Sequence, residues 1–270
     1  MNDDAAPARY RDEQRLAFGR VAELYDRARP SYPAMAIDAL LEYGALAPGA
    51  RIVEVGAGTG KATELLAGRG LEVLAIEPSA EMAALARVKL ARSAGVTLVE
   101  TAFEDWVPDE RFAAVVSVQA WHWVEPEVRY ARAQQALSPG GTLAAVWSFP
   151  DWARCDAREA LRRVYRDVAP DLSPDFPMHP GSEPTRLAGH WSGEIEASGC
   201  FTEPTTRTFP FPQRYAAREY TALLRTHQDH ILLGEGDQVA LLAAITQCIE
   251  ERGGHLELPL VTYVCLARRV

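Results

Sequence analysis

Residues 53–60, Val53-Glu-Val-Gly-Ala-Gly-Thr-Gly60, put three glycines, Gly56, Gly58 and Gly60, directly behind a short apolar run and in front of a helical pattern. Glycine at such a turn permits backbone angles closed to other residues, and its missing Cβ lets a ligand lie against the main chain. The second acid of interest, Glu77, follows the next apolar run roughly twenty residues later, where a carboxylate can accept hydrogen bonds from both hydroxyls of a ribose. Turn and acid together point to an adenosine-type ligand. A phosphate-cradling P-loop is excluded twice: Lys61 is followed by Ala62 rather than Ser or Thr, and Val55 stands where its first glycine belongs. A nicotinamide site favours G-x-G-x-x-G, whereas Gly56, Gly58 and Gly60 give G-x-G-x-G, so a dehydrogenase is demoted but stays open.

A second cluster, Gln119-Ala-Trp-His-Trp-Val124, follows another apolar run. His122 is its one candidate general base, for an acceptor that must lose a proton. The alternative is that Trp121 and Trp123 shape a substrate cavity and His122 only hydrogen-bonds the backbone. His227 and His230 stand three apart near Asp229, but with no further convergent ligand in view the expectation is that no metal is held. His179, His190 and Trp191 are weighed between pocket lining and loop packing.

These residues need a scaffold, and the pattern around them supplies one. Apolar, β-branched runs at Arg51–Val55, Leu71–Ile76, Val96–Glu100, Ala113–Val118 and Thr142–Trp147 alternate with helical stretches, which predicts βαβ units around a parallel sheet. Ser79 reads as the N-cap of a helix over residues 80–91, and Ser138-Pro-Gly-Gly141 as the turn before the fifth strand. The predicted fold is a doubly wound, mostly parallel α/β sheet with an antiparallel C-terminal strand and a helical lid, its ligand at the carboxyl ends of the strands. Four segments are expected: an N-terminal lid helix in 1–33, a cofactor-binding core over 34–149, an inserted substrate lid over 150–200 with one helix near 158–168, and 201–270 completing the same domain. In that last segment the pattern predicts a strand at 205–211, helices over 217–232 and 238–252, and a strand at 258–267. Phe18, Val21, Ala22 and Tyr25 have helical spacing with one face to bury.

Composition limits the partners. A chain of 270 residues, 48% hydrophobic, can bury a sizeable core. Its formal net charge of −9, with no long basic run, argues against nucleic acid and anionic membranes. Cys155, Cys200, Cys248 and Cys265 stand far apart, without zinc spacing, as reduced thiols do. With a polar start over residues 1–11 and no long apolar run, the expected compartment is the cytoplasm.

In order along the chain, Glu54-Val-Gly-Ala-Gly-Thr-Gly60, Glu77-Pro78, Thr101-Ala-Phe-Glu104, Val115–Val118 and Leu137-Ser-Pro-Gly-Gly141 resemble the motifs of class I S-adenosylmethionine-dependent methyltransferases. Phe18-Gly19, Ala22, Tyr25, Arg29-Pro30, Tyr32-Pro33 and Trp121-His-Trp123 are similar to the small-molecule group that includes trans-aconitate methyltransferases. The resemblance implies S-adenosylmethionine as cofactor and methyl transfer to oxygen or nitrogen of a small molecule, such as a carboxylate or a secondary metabolite. It further implies that Gly56, Ala57, Gly58 and Gly60 bed the methionine and ribose, and that Glu54 helps hold the amino group. Glu77 takes the ribose hydroxyls, Pro78 lies on the adenine, Ala102, Phe103 and Glu104 meet its other edge, and Gln119 sits beside the methyl. Tyr25 and Arg29 cover the cofactor, with Tyr32, Trp121 and Trp123 toward the acceptor. Acidic metal ligands and the Pro-Pro-aromatic signature of nucleobase amino-methylating relatives are both missing from 119–123, which favours metal-independent transfer to a small molecule. A cofactor-binding protein with lost or altered catalysis stays open as an alternative.

Overall fold

In the computed structural model, residues 21–170, 172 and 184–270 are described. The chain runs α1 (Ala22–Ala28), α2 (Ala34–Gly44), β1 (Arg51–Val55), α3 (Lys61–Ala67), β2 (Glu72–Ile76), α4 (Ala80–Lys89), β3 (Val96–Val99) and β4 (Phe112–Val118). A 3₁₀ turn, Trp121–Trp123, leads to α5 (Pro126–Ala136) and β5 (Leu137–Pro150), and a second, Trp152–Arg154, to α6 (Arg158–Val168) and α7 (Pro184–Ala197). The remainder is β6 (Thr205–Pro210), β7 (Gln213–Ala216), α8 (Ala217–Leu224), α9 (Gln228–Ile231), α10 (Glu235–Glu250), β8 (His255–Leu258) and β9 (Leu260–Arg268).

Seven strands form one sheet in the order β3-β2-β1-β4-β5-β9-β6. The first five are mutually parallel, and β9 runs antiparallel between β5 and β6. The period-2 alternation of side chains explains why both faces are covered. Val53, Val55, Val115, Leu143, Ala145, Cys265 and Ala267 share a buried cluster with Tyr130 and Ala133 of α5 and Ile195 of α7. Their neighbours Ile52, Val73, Ala114, Val116, Ala144, Val146, Val264 and Leu266 turn the other way, onto Ile37 and Leu40 of α2 and Leu66 of α3. Ser79 caps α4 as its type suggests, with Oγ accepting from Met82 N at 3.4 Å. The Ser-Pro-Gly-Gly signal is realised as an irregularity inside β5: the register jumps from Phe112↔Leu137 to Ala114↔Thr142, with Gly140 at φ +71°.

The segment expected to complete the sheet domain, 201–270, divides in two. β6 and β9 join the main sheet. Residues 213–258 instead build a cap, in which Tyr215, Tyr220, Leu224, Leu241, Leu242, Ile245 and Leu256 bury themselves against Trp152, Leu161 and Tyr165 on or before α6. A boundary at residue 200 therefore does not separate lid from core, because the apolar stripe of α6 is completed by helices that come later in the chain. The helix expected over 217–232 stops at Leu224 and resumes as the one-turn α9. A helix not foreseen, α7, lays Trp191 on Trp147 of β5, ring centroids 4.6 Å apart. No described helix is long and apolar enough to cross a membrane. The four cysteines are free thiols.

Candidate active site

Strand order reverses between β1 and β4, and in open α/β sheets ligands bind at such a switch point, outside the carboxyl ends of the strands. The glycine turn leaves β1 there, tied down by Gly56 N and Ala57 N, which donate to Ile76 O at 2.9 and 3.0 Å. Gly56, Gly58 and Gly60 all have positive φ, but for different reasons. A Cβ on Gly56 would meet Ala120 Cβ at 2.3 Å, and one on Gly60 would meet Leu90 Cδ1 at 2.7 Å, so both permit close packing of protein on protein. Only Gly58 faces open space, with nothing within 4 Å of its position for a Cβ. Of the three, Gly58 is the one with room above it for a ligand.

Glu77 is buried at the tip of β2 and braces this turn: Gly58 N donates to Oε2 at 2.8 Å and Ser79 N to Oε1 at 2.9 Å. A carboxylate has about four lone-pair directions, and these two bonds orient Glu77 against the turn. Glu54 differs. It is 1% exposed and its Oε2 has no hydrogen-bond partner. Burial pushes its carboxyl up to about 8, a rise that the neighbouring Thr63 hydroxyl opposes and the charge of Glu77 reinforces. A buried carboxyl oxygen without a partner, two residues before a glycine turn that has room above Gly58, fits a ligand that brings an ammonium group and a sugar diol, as an adenosine-linked amino acid does.

At the end of β4, Gln119 holds a left-handed backbone, φ +60°, fixed by its own N–H donating to Val146 O at 2.8 Å and its side-chain Nε2 donating to Ser148 O at 2.9 Å. Strain of this kind persists where the surroundings over-determine it and concentrates at functional sites. It turns the chain into Trp121-His-Trp123. Trp121, expected to line the substrate cavity, is fully buried instead, packed between Phe103 and Tyr130 at centroid distances of 6.1 and 5.7 Å. Phe103 likewise faces the core, against Trp106 at 6.0 Å. Ala102 O is engaged in the turn that follows it, accepting from Asp105 N and Trp106 N, and Glu104 Oε1 accepts from Glu125 N at 2.9 Å at the start of α5. Pro78 is half-buried beside Glu77, and Trp123 is half-buried against the His122 ring, 4.7 Å away. His122 Nδ1 accepts from the Trp147 indole Nε1–H at 3.4 Å, an arrangement that leaves the imidazole proton on Nε2 when the ring is neutral. His190 pairs through Nε2 with Glu194 at 2.9 Å, and His179 lies outside the described residues.

The N-terminal helix bears on the glycine turn. Arg29 lies over the Tyr25 ring, 5.1 Å from its centroid, and donates through Nε to Thr226 Oγ1 at 2.8 Å and through Nη2 to Thr226 O at 3.0 Å. Tyr32 is half-buried and close enough to Tyr25, Glu54 and Arg29 to sense their charges, with burial raising its hydroxyl far above the usual range. Asp26, which sequence reasoning missed, accepts from Thr59 Oγ1 at 2.6 Å and from Lys89 Nζ at 2.9 Å, with Lys61 Nζ at 3.8 Å. Only Lys61, sitting where a third glycine is absent, hinted at a charge beside the turn. In the cap, His227, Asp229 and His230 bring ligand-type atoms within 4.8 Å of one another. Hydrogen bonds account for both nitrogens of His230: Nδ1 meets Asp229 Oδ1 and Nε2 meets Tyr165 Oη, each at 2.8 Å.

Residues 53–145 match the family model described as "Methyltransferase domain". An uncharacterized methyltransferase of Mycobacterium tuberculosis is 40% identical over 160 residues, 59% of this chain and 63% of that protein. One from Geobacillus kaustophilus is 32% identical over 171 residues, covering 79% of that protein. The chain thus spans about 63% of the length of the first of these curated relatives. Among solved structures, a chain of Anaeromyxobacter dehalogenans assigned provisionally to the type II methyltransferases superposes over 89% of this chain and 97% of its own length, with a TM-score of 0.63 and 21% identity. The phosphoethanolamine N-methyltransferase 2 of Haemonchus contortus, in complex with phosphomonomethylethanolamine and S-adenosylhomocysteine, superposes over 93% of this chain and 57% of its own, with a TM-score of 0.53 and 14% identity. At these identities the two structures show a shared fold.

Proposed function

The chain belongs to the class I S-adenosylmethionine-dependent methyltransferases, and on that premise we propose that it methylates oxygen or nitrogen of a small-molecule acceptor, a carboxylate or secondary metabolite, in the cytoplasm. The observation that carries this reading is the pairing of open space over Gly58 with the partnerless buried oxygen of Glu54. S-adenosylmethionine, when bound, supplies an electrophilic methyl on a sulfonium. The chain's own residues position and shield: Glu54 takes the ammonium, Glu77 the diol, and Gly58 the close backbone approach. Gln119, held by Ser148, fixes the edge that the acceptor approaches. The cap and α1 exclude water, which makes orientation a large share of the acceleration.

With Nδ1 already accepting from the Trp147 indole N–H, that ring nitrogen of His122 is taken and does not serve as the base that receives a proton from an acceptor. That favours an acceptor that arrives already ionised, for which no base is needed. The net charge of −9 supports a small molecule over nucleic acid. Incubation with methyl-labelled S-adenosylmethionine and a panel of acids, phenols and amines should transfer label to one class, the acids first. Tight cofactor binding with no transfer across the panel would favour a binding protein that has lost catalysis. Co-purification of a nicotinamide dinucleotide in place of S-adenosylhomocysteine would overturn the proposal.

A further inference from the structure

Helix α1 is fastened at two points that belong to different parts of the molecule. Toward its C-terminal end, Asp26 gathers three partners from the core: the Thr59 hydroxyl of the glycine turn, between Gly58 and Gly60, the Lys89 ammonium at the end of α4, and Lys61 at the start of α3. Thr59 is 2% exposed and Asp26 partly buried, and their bond bears directly on Gly58, the one glycine of the turn that faces open space. Just beyond its last turn, Arg29 grips Thr226 through both a side-chain and a main-chain oxygen. Thr226 is itself fully buried and donates to Leu223 O at 2.6 Å, so this end of α1 is joined to the last turn of α8, part of the cap core. Cap and glycine turn are otherwise far apart in sequence, and α1 packs against both α4 and α8.

We propose that Asp26 is a positioning residue that fastens α1 onto the glycine turn through Thr59, so that engagement of the cofactor is passed along α1 and through Arg29 to the cap over the acceptor. It touches neither cofactor nor reacting atoms. The helix is a short strut of seven residues whose two anchors lie less than a turn apart, so a shift of the turn moves the grip on Thr226 with it. By linkage, an acceptor that settles the cap must tighten the cofactor site by the same factor. The inference rests on the methyltransferase reading, and its test separates the two.

The probe is S-adenosylhomocysteine, titrated calorimetrically into the full chain, with amide hydrogen exchange followed in peptides covering residues 22–28 and 217–231. In the parent, saturation with the probe should slow exchange in both peptides. Asp26→Ala should weaken the probe at least tenfold and, even at saturation, abolish the slowing in 217–231. Asp26→Glu, which keeps charge and acceptor, should restore part of both, a rescue that a merely structural role for the site would not predict. Lys89→Met removes the clamp from the other side and should act in the same direction, so the proposal stays testable if Asp26→Ala folds poorly. Arg27→Ala, on the exposed side of the same helix, should change neither readout. Probe binding within threefold of the parent, with cap protection intact in both Asp26→Ala and Lys89→Met, overturns the coupling while leaving the methyltransferase reading standing. A parent that fails to bind the probe takes down both.

Discussion

At the scale of single residues, the three glycines of one motif have different jobs, and the difference can be measured. Gly58→Val places a branched side chain in the open space where a ligand would lie and asks it to adopt φ +56°. The backbone strain costs on the order of 1–3 kcal/mol. The fold should survive while S-adenosylhomocysteine affinity falls sharply in a calorimetric titration. An affinity within threefold of the parent would move the ligand off this turn. For His122→Ala the expectation follows from the Nδ1 that Trp147 occupies. With an ionised acceptor, single-turnover methyl transfer should fall by less than about tenfold, with no trend between pH 6 and 9, whereas loss of a true general base costs roughly 10²–10⁴. A large loss that shrinks toward high pH would restore the base role and mean that the Trp147 bond gives way when the acceptor binds.

At the scale of elements, what was legible in the sequence was what depends on local pattern. The alternating strands, the Ser79 cap and the turn-plus-acid spacing of Gly58 and Glu77 all follow from period and turn chemistry, and the structure brings Gly58 N within 2.8 Å of Glu77. What escaped was set by partners distant in the chain. Trp121 reads as a cavity residue next to Gln119, yet Phe103 and Tyr130 claim it for the core. The cap was read as a single insertion because the apolar face of α6 finds its complement only after residue 213. Asp26 was invisible because the meaning of an acid on a polar helix face depends on the lysines opposite. The break between α8 and α9 has a tertiary cause of the same kind. His230 is buried with one nitrogen on Asp229 and the other on Tyr165 of α6, which pins the one-turn α9 to the cap. Tyr165→Phe should therefore leave His230 Nε2 without its partner and cost about 1–3 kcal/mol in denaturant unfolding. A change below about 0.3 kcal/mol would mean that the ring nitrogen finds another partner.

At the scale of the whole molecule, the buried carboxyl of Glu54 ties stability to ligand in opposite senses. Its folded value, raised to about 8 chiefly by burial, lies above the ordinary 4.5, so between these limits the folded chain holds a proton that the unfolded chain has released. Stability rises with pH only where the unfolded state binds more protons, so here its contribution falls as pH climbs from about 4.5 to 8. Ligand binding runs the other way. An ammonium group beside Glu54 favours the ionised form, so S-adenosylhomocysteine should release a proton on binding below pH 8 and bind more tightly as pH rises from 6 to 8, by at least about tenfold. Thermal unfolding with and without the probe, at both pH values, reads the two trends at once: the free protein should lose stability toward pH 8 while the increment due to ligand grows. Glu54→Gln removes the titration and should flatten both differences relative to the parent. If parent and Glu54→Gln show parallel pH profiles with and without ligand, Glu54 is already ionised in the free protein, and the partnerless oxygen no longer argues for an ammonium in the site.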